Sequence, residues 1–390
     1  MKSFAALFTI PLALAAPILE PRDGSSAIPG QFIVVLKPNV TQEQMHYSVD
    51  SVTSILGGSK PKHSYTFGSF KGYHVSASDD LIKSIANFTE VAYIEPDVTI
   101  SINALETQTN APWGLARISS RVPGTTDYTY DNSSGAGTYA YIIDTGIYLQ
   151  HQDFEGRATF GASFVDGDSS ATDGNGHGTH VAGTTGSKTY GVAKKTNLIA
   201  VKVLDAQGSG QLSQVIAGMQ WAVNDATNKG RIGKAVANMS LGASRLVSQS
   251  VNDAAAAAVR AGLFLAVAAG NDNGLASLSS PASEPSVCTV AATDKTDRRA
   301  SFSNYGSSVD VFAPGVNILS TWNDGATNTI SGTSMAAPHI AGLGAYLLAL
   351  EGPRAPIPLC ERIQKLSTSG IVKNSLTPNN LLAFNGASTA

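Results

Sequence analysis

From Trp113 onward the chain alternates short, unbroken apolar runs with longer stretches of helical period, and this pattern restricts the fold more than any other feature. Residues 140–143, 198–204, 235–239 and 263–268 read as strands, and 211–228, 249–260 and 335–350 as helices. A strand with one wet face alternates apolar and polar residues, so a continuous apolar strand must be covered on both sides. Strands of this kind separated by helices imply an α/β fold, a parallel sheet flanked by helices on both faces. Function in such sheets gathers at the carboxyl ends of the strands. Asp144, Ser240 and Asn271 all fall just past the end of an expected strand.

The chain before Trp113 follows a different logic. Residues 31–100 read as strand, helix, two strands, helix and strand, a small α+β unit of the split βαβ, ferredoxin-like type. Its first helix opens at Thr41 with Gln44 three residues on, a capping-box spacing. Residues 101–108 carry no periodicity and read as an exposed linker. At the start, one basic residue, an apolar run from Phe4 to Ala16 and an A-x-A pattern read as a secretory signal cut after Ala15. That run is too short to span a bilayer core of about 30 Å. The expectation is a secreted protein with no membrane attachment.

Composition sets further bounds. With 390 residues and 43% apolar content the chain can build a large core, and a net charge of −3 with 14% charged residues leaves no basic stripe for nucleic acid. Cys288 and Cys360 are the only cysteines, and in a secreted chain two thiols are expected to pair.

Three glycine-wrapped stretches carry the chemistry: YIIDTG with Asp144, DGNGHGTHVAG with His177, and SGTSMAAPH with Ser334. A hydroxyl, an imidazole and a carboxylate together suffice for nucleophilic acyl transfer. Alone, each has an ordinary reading as a turn aspartate, a buried histidine and a helix-capping serine. His180 also offers a metal alternative, because H-G-T-H puts two imidazoles one helical turn apart, but a third ligand and an HExxH glutamate are missing. Pro338 argues for Ser334 as more than a cap. It removes a helical N–H in the first turns and leaves a carbonyl near Ser334 without its usual partner.

Taken together, DTGI, HGTHVAG, NMSLG, AAGN and GTSMAAPH resemble the subtilisin-like serine proteases, and most closely the secreted fungal branch like proteinase K. The resemblance implies that Ser334 attacks a peptide carbonyl, His177 acts as base and then acid, and Asp144 orients His177. It makes Asn271 the side-chain oxyanion donor beside the Ser334 N–H. Ser240, Leu241 and Gly242 on one side and Gly210 on the other match segments that pair with an extended substrate. Ala268, Ala269 and Gly270 are expected to wall the primary pocket, which favours aromatic or bulky aliphatic residues. Leu212 stands where relatives often carry a large aromatic, so a more open aliphatic subsite is expected.

The same resemblance implies one structural Ca²⁺, held by the carbonyls of Pro285 and Val287 and the Asp310 carboxylate, and no catalytic cofactor. A second calcium site is not expected, because Arg121 and Gly370 stand where ligands are needed. Met335 is expected to be oxidisable. The 31–100 unit resembles the inhibitor propeptide of the family. The implied organisation is a signal peptide at 1–15, a propeptide at 16–103 and a catalytic domain at 104–390, with cleavage after Asn103. Expected partners are protein and peptide substrates and the chain's own propeptide, and the mature protein is expected to be a monomer. Among the sequons, Asn132 is the expected glycosylation site, whereas Asn238 lies on an expected buried strand. A catalytically silent binding module would keep the fold but lose one of the four reactive residues, and all four are present.

Overall fold

The computed structural model describes residues 15–19, 27–98, 105–170, 172–244 and 248–387. The signal segment, apart from Ala15, and the expected cleavage point after Asn103 lie outside the described residues. The chain divides into two compact units, Met1–Ser101 and Ile102–Ala390.

The small unit comprises β1 (Ala27–Leu36), α1 (Gln42–Ile55), β2 (His63–Phe67), β3 (Phe70–Ser76), α2 (Asp79–Ile85) and β4 (Val91–Val98). Its four strands form an antiparallel sheet in the order β2-β3-β1-β4. The Thr41 and Gln44 side chains each take the other's backbone N–H, at 3.2 and 2.8 Å, so two of the orphan donors at the start of α1 are satisfied. Val34, Val52, Tyr73, Ile85 and Ile94 close the core between sheet and helices.

The large unit begins with β5 (Leu105–Gln108), α3 (Trp113–Ile118), β6 (Tyr128–Asp131), β7 (Tyr139–Asp144), β8 (Ala158–Ser163), α4 (His177–Gly186) and β9 (Asn197–Lys202). It continues through α5 (Leu212–Asn228), β10 (Ala235–Met239), β11 (Ala243–Ser244), α6 (Gln249–Arg260), β12 (Phe264–Ala268), β13 (Ser279–Ser280) and β14 (Cys288–Thr293). Last come β15 (Val311–Pro314), β16 (Ile318–Thr321), β17 (Thr327–Ile330), α7 (Thr333–Glu351), α8 (Pro356–Leu366), β18 (Thr368–Ser369) and β19 (Leu381–Leu382). The main sheet runs β18-β19-β15-β14-β12-β10-β7-β9-β8, with every pairing parallel except β18 with β19.

The two-residue side-chain period explains why these strands are apolar throughout. On β7, Ala140 and Ile142 join the core under α4 and α7, while Tyr141 and Ile143 join the core under α5 and α6. Phe264, Ala266 and Ala268 of β12 go to the first core, and Leu265 and Val267 to the second. Helix α7 is long and apolar enough to cross a membrane, but most of it is buried inside this unit. Cys288 and Cys360 are bonded, which ties the start of β14 to α8.

One expectation needs correction. Residues 105–108, read as linker, form β5 and pair antiparallel with β6, Leu105 opposite Asp131 and Gln108 opposite Tyr128. The L-E-T-Q run has no apolar face to betray a strand. It is held through its backbone, with Tyr130 donating to the Glu106 carboxylate at 3.0 Å.

Candidate active site

The site lies at the carboxyl ends of β7, β10 and β12 and at the amino ends of α4 and α7. Asp144, the last residue of β7, is fully buried, and its Oδ1 accepts from the Thr145 N–H and from His177 Nδ1, both at 2.8 Å. His177 is the first residue of α4 and remains partly exposed. Burial by itself would lower its pKa. The charge and hydrogen bond of Asp144, with Asp173 farther off, outweigh that and raise it. An imidazole with one nitrogen tied to a carboxylate and the other turned to a groove is suited to accepting and returning a proton.

What holds α4 in place is Asp173, a residue that sequence reasoning passed over. Its buried carboxylate accepts from Thr145 Oγ1, the backbone N–H groups of Asn175, Gly176 and Thr179, and Thr179 Oγ1, at 2.6 to 3.1 Å. Negative charge at a helix N-terminus is favourable in itself. Thr145 Oγ1 in turn accepts from the Gly178 N–H at 2.9 Å, so strand mouth and helix start are cross-linked. Gly176 has φ near +105°, and a Cβ there would lie 2.4 Å from the Trp322 ring. Gly178 packs so closely that a Cβ would sit 2.1 Å from the Gly146 carbonyl oxygen. The second histidine of the motif does not join a metal pair. His180 is buried, bonds the Ile318 carbonyl through Nε2 at 2.9 Å, and is lowered by desolvation to about 4.

Ser334 stands in the first turn of α7 and Pro338 lies inside that helix. A proline four residues on cannot donate to the Ser334 carbonyl. The orphaned carbonyl accepts instead from Ser240 Oγ at 2.7 Å, while Ser334 Oγ donates to the Ser240 carbonyl at 3.2 Å. Asn238 donates to Ser240 Oγ at 3.0 Å from the end of β10. The two serines are therefore locked by reciprocal bonds, and Ser240 contributes a side-chain role beyond its expected backbone one. The Ser334 hydroxyl points to this carbonyl rather than to His177.

Asn271 is exposed, and its orientation is fixed from behind. Its Oδ1 accepts from the Thr333 N–H and from Thr333 Oγ1, both at 2.9 Å, which leaves Nδ2 facing outward. A Cβ on Gly332 would lie 3.6 Å from Ser334 N and 3.7 Å from Asn271 Nδ2, so both donors border one spot. Near a helix start such an N–H has no partner within the helix.

Two adjoining grooves open here. One, of about 540 Å³, is lined by His177, Gly210, Leu212, Ser240, Leu241 and Gly242. The other, of about 650 Å³, is lined by Ala268, Gly270, Asn271 and Ser334, with the exposed Leu275 and Leu278 among its walls. Ala269 was expected to wall this pocket and does not line it. The side-chain alternation after β12 turns its methyl into a core with Ala291 and Phe312. Asp272 lines it instead, the one charged side chain there among the described residues, and Asn304 pins the loop by accepting from the Asp272 and Gly274 N–H groups at 3.0 Å.

Away from the grooves, Asp310 accepts from the Thr289 N–H at 2.8 Å and from Gln364 at 3.1 Å. Desolvation pushes it up to about 6 against the lowering effect of those bonds. The neighbouring sulfurs of Cys288 and Cys360 are bonded to each other and offer no thiolate. Asn132 is exposed on the turn after β6, and Asn238 is fully buried.

Comparison with known proteins places the chain in a family. The subtilase family model matches residues 135–362, and that of peptidase inhibitor I9 matches 31–103. The chain belongs to the subtilase family. It is 50% identical over 385 residues to a subtilisin-like protease of Coccidioides posadasii, covering 96% of this chain and 95% of the relative. It is also 50% identical to a cuticle-degrading protease of Metarhizium anisopliae, covering 95% of this chain and 93% of the relative. The crystal structure of a cold-adapted subtilisin-like serine proteinase superposes with a TM-score of 0.68 at 44% identity, covering 72% of this chain and 100% of the other. This subtilase is thus a serine endopeptidase that carries an I9 inhibitor propeptide.

The exchange between Ser240 and Ser334 can be tested by mutation. Ser240→Ala should lower unfolding stability by about 1–3 kcal/mol, because it strands a carbonyl. Ser240→Ala with Pro338→Ala should recover about 1 kcal/mol relative to additivity, because the new N–H at 338 can bond Ser334. Urea melts of the four proteins measure it, and strict additivity would refute the exchange.

Proposed function

We propose that this subtilase is a secreted endopeptidase of broad specificity, made as a zymogen and acting through Asp144, His177 and Ser334 with Asn271 as oxyanion donor. The observation that carries the reading is that an imidazole backed by a buried carboxylate lines one groove, and a helix-start serine and an amide aimed outward line the adjoining one, with Ser240, Leu241 and Gly242 shared by both. Rotation about the Ser334 Cα–Cβ bond releases its hydroxyl from the Ser240 carbonyl and turns it toward His177. The oxygen attacks the peptide carbonyl carbon while His177 Nε2 takes its proton. The resulting oxyanion accepts from Asn271 Nδ2 and the Ser334 N–H. On collapse the C–N bond breaks, His177 returns the proton to the leaving amine, and water then cleaves the acyl-enzyme by the same route.

A serine-directed fluorophosphonate should label the mature enzyme, and Ser334→Ala should abolish labelling. Asn271→Leu should lower kcat by about 10²–10³ with KM little changed, the size seen when such a donor is removed from a subtilisin. Absence of labelling, or an unaltered kcat, would remove the residue concerned from the mechanism.

The raised His177 pKa fixes the sign of the pH dependence. Only the neutral imidazole can take the serine proton, so kcat/KM should climb with pH through an apparent pKa above the ordinary value of about 6.5. Asp144→Asn removes the raising charge and should move that limb to lower pH, with kcat reduced by about 10⁴. A limb that stays in place separates the titration from this pair.

The substrate pairs as an extended strand against Ser240, Leu241 and Gly242 on one side and Gly210 on the other, so it is read mainly through its backbone. Ala268, Gly270, Leu275 and Leu278 suit an aromatic or bulky aliphatic side chain before the scissile bond, and Leu212 suits an aliphatic residue farther from it. Profiling a peptide library should rank Phe, Tyr and Leu highest at that position. Preferred cleavage after Lys or Arg would assign the pocket to Asp272.

The carbonyls of Pro285 and Val287 and the Asp310 carboxylate fit a structural calcium ion, as a hard oxygen set that includes a desolvated acid with no cationic partner among the described residues. A carboxyl whose pKa is raised in the folded state binds more protons folded than unfolded. Without calcium its contribution to stability therefore falls as pH rises from about 4 to about 6. Chelator should lower Tm at pH 8 and have little effect at pH 5; an unchanged Tm at pH 8 argues against the site. The maturation cut after Asn103, the signal peptide at 1–15 and a glycan on Asn132 complete the proposal. N-terminal sequencing and mass measurement of the secreted protein test them.

A further inference from the structure

On the side of the large unit where β5 meets β6, a cavity of about 360 Å³ is lined by Leu105, Asp131, Tyr346, Glu351, Arg362 and Asn385, among others. Asp131 is only 3% exposed, and its carboxylate is half used. Oδ1 accepts from the Ser133 N–H at 2.8 Å, whereas Oδ2 is buried with no hydrogen-bond partner. Glu351 differs, because Arg354 and Arg362 hold it at 3.0 and 2.7 Å. Asp131 forms no ion pair of this kind among the described residues. A buried carboxylate oxygen without a donor is costly, so its environment calls for one.

The register of the sheet points to its source. Leu105 is the direct partner of Asp131 across the β5–β6 ladder. A chain that begins one or two residues before Leu105 carries its α-amino group within about 7 Å of that rung. An α-amine has a pKa of about 7.7–8.0 and is therefore mostly an ammonium at neutral pH, with three N–H donors. In the unprocessed protein the same nitrogen is a neutral peptide N–H.

We propose that the α-ammonium created by propeptide removal docks in this cavity as the ion-pair partner of Asp131. The inference rests on the maturation point proposed above. Docking would brace α7 at its far end, because Tyr346 and Glu351 belong to the helix that begins beside Ser334. The Tyr346 hydroxyl already accepts the Asp131 N–H at 2.9 Å. Propeptide cleavage would then add a stabilising contact to the mature enzyme as well as removing an inhibitor.

The test uses the full chain, matured and then blocked with a serine-directed inhibitor to prevent autolysis. N-terminal sequencing first fixes where the mature chain begins. Selective acetylation of the α-amine near pH 6.5 should lower Tm by about 3 °C or more. Asp131→Asn should lower it by a similar amount, and acetylation should add nothing in that variant. In the unprocessed chain, kept intact by Ser334→Ala, Asp131→Asn should not lower Tm, which separates docking from a merely structural role. If the start falls at residues 103–105 and acetylation leaves Tm unchanged, or adds in full to Asp131→Asn, the docking is wrong. A start elsewhere overturns the maturation point and the inference with it. Should Asp131→Asn fail to fold, acetylation of the unmutated enzyme still decides.

Discussion

The buried carboxylate of Asp173 is the tie on which the site depends. Five donors converge on it from the mouth of β7, the loop before α4 and the first turn of α4. A carboxylate is expensive to bury unless its lone pairs are occupied. Occupying them forces Thr145 and Thr179 to a shared center, and the separation of Asp144 and His177 is set by where those two threonines lie. The 2.8 Å contact between Asp144 and His177 is therefore inherited from the hydrogen bonds that converge on Asp173. Parallel strands bring the loops to one edge of the sheet, and Asp173 converts that proximity into a defined geometry.

Helix α7 poses the complementary problem of a buried helix whose first turn must present a side chain to solvent. Nearly every residue from Thr333 to Leu348 is buried, and Ser334 alone is partly open. Pro338 breaks one hydrogen bond, and Ser240 replaces it from β10. A bond internal to the helix thus becomes a bond between the helix and the substrate-binding edge. Asn271 achieves the same from β12, since Thr333 occupies its oxygen and turns its nitrogen outward. Nucleophile, donor and substrate edge share one set of hydrogen bonds, and they move or stay still together.

Much of this was readable in the chain. Strands β7, β10 and β12 and helices α5 to α7 were found within a few residues, because a two-sided core demands unbroken apolar runs and long helices keep their period. Strands β8 and β15 were missed. Ala158–Ser163 has little apolar content, and Val311–Pro314 is too short to show periodicity. β5 escaped because its L-E-T-Q run has no apolar face and is held by backbone pairing and polar side-chain bonds. In the site, residues inside glycine-rich motifs were evident, whereas Asp173 in TDGNG was passed over. Its position four residues before His177 was the available signal, since an acidic residue just ahead of a helix start caps it. Ala269 was misplaced because a run of three small residues does not disclose which of them faces the pocket.

The close packing at Gly178 separates two meanings of the histidine motif. A methyl group there would overlap the Gly146 carbonyl whatever chemistry the site performed, so the requirement for glycine belongs to architecture. His177 is needed for another reason, since the fold could bury Asp144 against a different donor. A descendant that abandoned proteolysis for adhesion would be free to lose the imidazole and bound to keep the glycine. Across relatives, the glycines of this stretch should trace shared ancestry of the fold, and the side chains between them should trace what each lineage has gone on using it for.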